Sequence, residues 1–179
     1  MRLSGFVFAL FLPAAAWASA PKPLDTLFAQ LKGAQSAEEA KPIEAQIEEL
    51  FRPSGSPSVD LLMARAGAAE ASGDKDTARQ LVDAVTAIAP SYAEGWHSRG
   101  LQQSDAGDDE SAMLSLQKTI ALNPRQFQAM EQLGEMLEDY GDKAGALKMY
   151  RRAQAIDPQF EGLQRHIDAL SRAVEGQGI

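Results

Sequence analysis

Apolar residues recur at intervals of three and four along most of the chain, which is the spacing of one face of an α-helix. One such stripe contains Ala78, Val82, Val85 and Ile88. Comparable stripes follow at Ala112, Leu116, Ile120 and Leu122, and at Ala146, Tyr150, Ala153 and Ile156. Aromatic residues, which favour strands, make up only 7% of the chain. Pattern and composition together predict an all-α fold.

The stripes belong to an internal repeat with a period of 34 residues. At this offset five residues recur three times: Gly73/Gly107/Gly141, Asp74/Asp108/Asp142, Ala78/Ala112/Ala146, Ala87/Ala121/Ala155 and Pro90/Pro124/Pro158. The alanine matches carry little weight because alanine is common in this chain. The Gly-Asp pair and the proline are informative, and no insertion disturbs their spacing, so the chain is predicted to be a repeat protein.

Each recurring residue has a mechanical role, as the first repeat illustrates. Gly73 follows a run of helix-forming residues and can adopt the left-handed conformation that ends a helix. Asp74 is then placed to cap the next helix with its carboxylate. That helix must end before Pro90, because proline cannot continue it. The predicted unit is a helix, a tight turn, a second helix and a proline turn.

This unit resembles the tetratricopeptide repeat, a 34-residue helix-turn-helix with the pattern W-x2-L-G-x2-Y…A-x3-F…P. The third repeat matches with Met130, Leu133, Gly134, Leu137, Ala146, Tyr150 and Pro158. The second matches with Trp96, Gly100, Ala112, Leu116 and Pro124, and the first with Leu62, Ala66, Ala69, Ala78, Val82 and Pro90. The resemblance implies an all-α solenoid of helical hairpins that forms a right-handed superhelix. It also implies a scaffold that binds proteins and is not an enzyme.

The repeats are predicted to fill residues 58–158, as units 59–92, 93–126 and 127–160. Residues 160–175 are predicted to form a C-terminal capping helix with apolar positions at Leu163, Ile167 and Leu170. Residues 19–57 are predicted to form a degenerate N-terminal repeat that acts as a cap, or alternatively a dimerisation arm. In that hairpin Asp25 is expected to cap the first helix, and the second is expected to begin near Pro42.

The first residues of the chain have the order of a secretory signal peptide. Arg2 supplies positive charge, residues 3–12 form a short uncharged apolar run, and small residues follow from position 14 to 20. Residues 1–18 are therefore predicted to be removed, with cleavage after residue 20 as the alternative, and the mature protein is expected in the bacterial periplasm. The apolar run is shorter than the ~20 residues that span a bilayer, so an uncleaved membrane anchor is the less favoured interpretation.

Charge and side-chain chemistry exclude several classes of function. The formal net charge of −8 argues against a nucleic-acid partner, which requires clustered lysine and arginine. The chain has no cysteine and only two histidines, His97 and His166, in different predicted helices. No metal-ligand spacing, nucleotide-binding fingerprint or nucleophile motif occurs, so neither catalytic residues, cofactors nor metals are expected. A hydrolase or metal enzyme is the alternative of a different class.

The resemblance also implies where a partner binds, because in that family the first helix of each hairpin lines a groove. The corresponding positions are Asp60, Met63, Gly67, Glu70, Glu94, His97, Leu101, Asp105, Gln128, Glu131, Glu135 and Glu138. None of them is lysine, arginine or asparagine, so the family's clamp for a peptide carboxylate is not expected. Seven are acidic, which favours a basic or amphipathic partner segment. The alternative is a solvated acidic face with the interface elsewhere.

Two further expectations concern partners. The protein is expected to be a monomer that serves an envelope process, with a cytochrome c assembly chaperone holding an apoprotein as the rival within the same class. Arg65 and Arg99, which lie 34 residues apart, stand where the family usually has leucine. Either their aliphatic stems pack while the guanidinium groups reach water or a carboxylate, or the two arginines bind an anionic ligand.

Overall fold

A computed structural model describes residues 23–176, and every regular element in that range is an α-helix. The nine helices of this range are α1 (Pro23–Gly33), α2 (Ala37–Phe51), α3 (Pro57–Ala71), α4 (Lys75–Ile88), α5 (Ala93–Asp105), α6 (Asp109–Leu122), α7 (Phe127–Asp139), α8 (Lys143–Ile156) and α9 (Leu163–Val174). The all-α prediction is confirmed. None of these helices is long and apolar enough to cross a membrane. The proposed signal peptide lies outside the described residues.

The turns inside the three hairpins have the predicted chemistry. Gly73, Gly107 and Gly141 have φ angles of 81°, 77° and 82°, the left-handed conformation that glycine adopts without steric cost. The aspartate after each glycine caps the next helix. In α4, for example, Asp74 accepts a hydrogen bond of 3.1 Å from the backbone N–H of Thr77. Each second helix ends two residues before its proline. These local predictions are confirmed at all three turns.

The hairpins stack in chain order, because small residues let neighbouring helices approach closely. Gly95 on α5 lies against Val85 and Thr86 of α4, where a Cβ atom would come within 2.8 Å of the Val85 side chain. Within the last hairpin, Gly134 on α7 likewise faces the ring of Tyr150 on α8. Helices α4 and α5, α6 and α7, and α8 and α9 pack side by side. The result is a solenoid of three hairpins closed at its C-terminal end by α9.

The N-terminal hairpin α1–α2 does not occupy the position that a preceding repeat would take. Helix α2 does not pack along α3 as α4 packs along α5. Instead, the hairpin folds back over the second half of the solenoid. Asp25 forms an ion pair of 2.7 Å with Arg125, and Lys41 forms one of 2.9 Å with Glu161. The hairpin therefore closes the side of the later repeats, and within residues 23–176 no helix covers the α3 end of the stack.

The hydrophobic core reflects this arrangement. Leu31 and Ile47 of the hairpin are fully buried and belong to the same cluster as Phe127 of α7, Tyr150 of α8 and Leu163 of α9. The apolar residues that bury the α3–α4 hairpin lie outside this cluster. The main core thus joins the first two helices of the described chain to the last four.

Three predicted helix starts differ from the structure. Asp25 is not a cap but lies in the first turn of α1, where it pairs with Arg125. Helix α2 begins at Ala37, five residues before Pro42, because Ser36 caps it and Glu39 accepts a hydrogen bond of 2.9 Å from the N–H of Gln35. Helix α9 begins at residue 163 and not at 160, since Gly162 has a φ of 90° immediately before it.

Candidate functional site

Two adjoining open depressions lie between the first helices of the first two hairpins. Their volumes are about 280 and 590 Å³, and they share Met63, Gly67 and Ser98. We call this surface the α3–α5 groove. It is lined by Asp60, Met63, Gly67, Glu70, Glu94, Ser98, Leu101, Gln102 and Asp105. Gly67 has no atom within 4 Å of the position of a Cβ atom, so the groove reaches the backbone of α3 there.

The floor of the α3–α5 groove is apolar and its walls are mainly acidic. Met63 faces the groove from α3, and Leu101, which is 41% exposed, faces it from α5. The carboxylates of Glu70 and Asp105 stand at one end. An apolar floor with flanking carboxylates is suited to bind an amphipathic segment that has lysine or arginine at its edges.

Asp60 and Glu94 complete the acidic wall at the other end of the groove. The backbone N–H and the hydroxyl of Ser54 donate to Asp60 at 2.8 and 2.6 Å. The hydroxyl bond, followed by the backbone bond, lowers the pKa of Asp60 and keeps this carboxylate charged. Arg52 also lines this end, so carboxylates stand at both ends of the groove and the charge at this end is mixed.

His97, which the sequence placed in the groove, is a buried residue with several partners. Its Nε2 lies 2.9 Å from Oε1 of Gln132, and its Nδ1 lies 3.4 Å from Oε1 of Glu94 and 3.3 Å from Nε2 of Gln126. Burial lowers the pKa of His97, but the bonds to Glu94 and Gln132 outweigh this effect and raise it. The side chain joins α5 to α7 and does not face an open surface.

Gln128 lies beneath the hairpin and not in the open groove. Its Nε2 donates to Oε1 of Glu48 on α2 at 2.8 Å. Together with His97 and Gln132 these residues line a small polar cavity of about 190 Å³ between α2, α5 and α7. Helix α2 therefore reaches Gln128, the first position of α7 in line with the groove.

The three remaining acidic candidates lie further along α7. Glu131 and Glu135 lie one turn apart, and burial followed by the charge of Glu135 raises the pKa of Glu131 to about 7. Glu138 accepts from the hydroxyl of Tyr150 at 3.1 Å and lies 2.9 Å from Nδ1 of His166. The structure thus separates the predicted surface into an open part on α3 and α5 and a part on α7, where Gln128 and Glu138 have partners inside the fold and Glu135 is exposed.

Several groove residues were not found by the repeat alignment. Arg52 and Pro53 reach the groove from the α2–α3 linker, and Tyr92 reaches it from the turn before α5. The hydroxyl of Tyr92 donates to the backbone carbonyl of Arg52, across the start of the groove. These residues lie outside the helices, so helical periodicity gives no signal for them. Within residues 23–176, no three histidine or carboxylate side chains are arranged to hold a metal ion.

Comparisons with known proteins agree with this architecture. Over 82 residues the chain is 37% identical to a tetratricopeptide-repeat-containing protein of Rhizobium etli, a match that covers 45% of this chain and 40% of that protein. The chain thus spans well under half of the curated relative that it matches. No family model matches the chain.

Two similar solved structures were determined with bound peptides. The first tetratricopeptide domain of Spaghetti, bound to the HSP90 peptide SRMEEVD, has a TM-score of 0.59 at 16% identity and covers 65% of this chain and 93% of that one. The secretion chaperone SycD of Yersinia enterocolitica, in complex with a peptide of the translocator YopD, has a TM-score of 0.58 at 17% identity and covers 69% and 97%. The repeat spacing and the fold are those of a tetratricopeptide-repeat solenoid, and the chain is similar in sequence to part of one such protein.

Proposed function

We propose that this protein is a non-catalytic interaction scaffold of the bacterial periplasm that binds a basic, amphipathic segment of another protein in the α3–α5 groove. The observation that carries the proposal is the apolar pair formed by the half-buried Met63 and the exposed Leu101, which lies between carboxylates. An apolar floor that faces water is unfavourable, and its burial against a partner would be favourable, so exposed apolar surfaces of this kind often mark interaction sites. The two peptide complexes named above support the mode of binding, because they show peptides on related folds.

The part of the groove proposed for binding is shorter than the sequence suggests. Gln128 on α7 is covered by α2, and His97 is buried between α5 and α7. The open surface runs along α3 and α5, which are 15 and 13 residues long. At 1.5 Å per residue this length accommodates an amphipathic helix of about four turns. The proposed ligand is therefore one short segment and not an extended chain that runs along all three repeats.

Charge reversal tests the groove. The probe is a helical peptide of leucine and lysine, with a leucine–glutamate peptide of the same pattern as its counterpart. The double variant Glu70→Lys/Asp105→Lys should weaken binding of the lysine peptide at least tenfold in low salt. The control Glu110→Lys/Asp139→Lys changes the net charge equally at exposed positions of α6 and α7 outside the groove and should retain tight binding. Equal losses of affinity in the two double variants would show that only the net charge matters and would contradict the proposal.

Crosslinking in the cell tests the groove without a model peptide. A photoreactive residue at position 101 should capture a partner protein. The same residue at position 114, an equally apolar site on α6 where Leu114 is 61% exposed, should not. Capture of the same proteins at both positions would contradict binding in the groove.

The periplasmic location rests on the pattern of residues 2–20 and has its own test. The intact mass of protein recovered from a periplasmic extract should correspond to a chain that begins at Ser19. A chain that begins at Pro21 would fit the alternative cleavage site. Full-length protein confined to the cytoplasm would contradict export, while leaving the groove proposal to be judged by its own experiments.

A further inference from the structure

The α3 end of the solenoid exposes a stripe that the other repeats bury. Leu61, Arg65 and Ala68 follow one another at intervals of four and three and so share a face of α3. All three are exposed, Leu61 by 59%. The described hairpin α1–α2, which the sequence predicted as the cap of this end, packs over the later repeats instead.

The internal repeat shows what this face normally contacts. The residues 34 positions after Leu61 and Arg65 are Gly95 and Arg99 on α5. Gly95 is buried against Val85 and Thr86 of the preceding helix α4. On α7 the equivalent residues Ala129 and Leu133 are also buried, with exposures of 0% and 3%. In the second repeat, therefore, the second helix of the preceding hairpin covers this face, and in the third repeat the same positions are buried.

Arg99 shows which charge the covering helix supplies. Its Nε lies 2.9 Å from Oδ1 of Asp83 on α4, and its guanidinium lies over the ring of Trp96. This arrangement confirms for Arg99 the expectation that its head group reaches a nearby carboxylate. Within residues 23–176, Arg65 has no carboxylate at ion-pair distance. Arg65 thus occupies the position equivalent to Arg99, but no described helix supplies it with a carboxylate.

We propose that the stripe Leu61–Arg65–Ala68 is a second docking surface, and that it binds a helix of another protein that presents a carboxylate to Arg65 and a small side chain to Leu61. The carboxylate corresponds to Asp83 of α4. The small side chain is required because position 61 carries leucine where Gly95 and Ala129 stand in the later repeats, so a residue as large as Val85 would be crowded. This surface lies at the end of the stack and is distinct from the α3–α5 groove.

The second helix of the first hairpin provides a probe for this surface. A helix-stabilised peptide of residues 75–88, with Val85→Ala to accommodate Leu61, carries Asp83 in the required position. It should bind the full-length protein, and Arg65→Glu in the protein should weaken binding at least tenfold. Arg79→Glu, a charge reversal at another exposed arginine, is the matched control and should retain binding.

A charge swap decides whether the ion pair acts as proposed. The peptide with Asp83→Lys should bind the Arg65→Glu protein better than the wild-type protein. Absence of peptide binding to the wild-type protein, or binding unaffected by Arg65→Glu, would overturn the proposal. Sedimentation of the protein alone gives a further outcome, because a dimer dissociated by Arg65→Glu would show that a second copy, and not another protein, covers this face. Loss of peptide binding in the Glu70→Lys/Asp105→Lys variant but not in Arg65→Glu would assign the peptide to the groove and overturn the proposal.

Discussion

The carboxyl group of Glu44 on α2 lies close to that of Asp157, which is fully buried at the end of α8. Two carboxyl groups so close together are stable when they share a proton. Oδ2 of Asp157 has no other donor among the described residues, while Oδ1 accepts from the N–H of Gln159 at 3.0 Å. The contact between the N-terminal hairpin and the last repeat therefore depends on one carboxyl group staying protonated.

This carboxyl pair makes the docking of the hairpin sensitive to pH. Burial, then the charge of Asp157, raises the pKa of Glu44 from 4.5 to about 7, and burial also raises the pKa of Asp157. Between these values the folded state holds a proton that the unfolded state releases, so the free energy of unfolding falls as the pH rises from 4.5 to about 7. Because Glu44 is partly exposed and Lys41 and Glu48 lie nearby, we expect a loss of only about 1 kcal/mol.

Glu44→Gln isolates this effect, because the amide still donates to Asp157 but does not titrate. Hydrogen exchange of α2 amides, corrected for intrinsic rates, should accelerate between pH 5 and 8 in the wild type and much less in the variant. Glu131→Gln is the matched control, since the pKa of Glu131 is also about 7 but its partner Glu135 lies on α7. If α2 in Glu44→Gln keeps the wild-type pH dependence, the shared proton does not hold the hairpin.

Gly134 and Gly67 should respond to alanine in opposite directions. A Cβ atom at position 134 would lie 2.7 Å from the ring of Tyr150, which is fully buried and cannot move aside. We expect Gly134→Ala to lower the free energy of unfolding by about 1–3 kcal/mol through overpacking. At position 67 nothing lies within 4 Å, so Gly67→Ala should raise it by up to about 1 kcal/mol through helix propensity. Urea denaturation measures both, and shifts of the same sign would contradict this packing.

His97 should matter for stability and not for binding in the groove. Replacing it with alanine leaves Gln126 and Gln132 without their partner, which should cost about 2 kcal/mol of unfolding free energy. Affinity for the lysine peptide should stay within twofold of wild type. His166→Ala is the comparison, because the His166 side chain is 40% exposed and should cost less. A tenfold loss of peptide affinity in His97→Ala would show that this residue contributes to peptide binding, contrary to the prediction.

Asp108 should stabilise the middle repeat through its cap. Its Oδ1 accepts from the N–H of Ser111 at 3.3 Å, so Asp108→Ala should lower the free energy of unfolding by about 1 kcal/mol. Glu110→Ala, two residues further in the first turn of α6, removes the same charge without a cap and should cost less than half as much. Equal losses in urea denaturation would show that charge near the helix end, and not the cap, is responsible.

The sequence correctly predicted those parts of the fold that depend on residues close to one another in the chain. Gly107 and Asp108 fix their turn through their own backbone angles and their own hydrogen bonds, so their pattern is sufficient. The start of α2 is also encoded locally, since Ser36 and Glu39 form a capping pattern. Pro42, which is typical of a first helical turn, instead lies inside the helix.

The place of the hairpin was not predictable in this way. It depends on contacts such as Asp25 with Arg125, and Arg125 stacked 3.9 Å from the ring centre of Phe28, which join residues about a hundred positions apart. Helical periodicity describes which face of α1 and α2 is apolar but not which distant surface that face covers. For the same reason the alignment placed Gln128 in an open groove that α2 in fact covers.

The return of the hairpin over the later repeats also changes how the molecule should unfold. In an open solenoid each repeat contacts only its neighbours, so the ends can fray while the middle stays folded. Here the side chain of Gln159 donates to the backbone carbonyl of Ala34, 125 residues earlier, and Leu31 shares a core with Leu163. The start of the described chain is thus fastened to its end. We therefore expect the hairpin and the last repeat to unfold as one cooperative unit, while the α3–α4 hairpin, which lies outside the shared core, opens first.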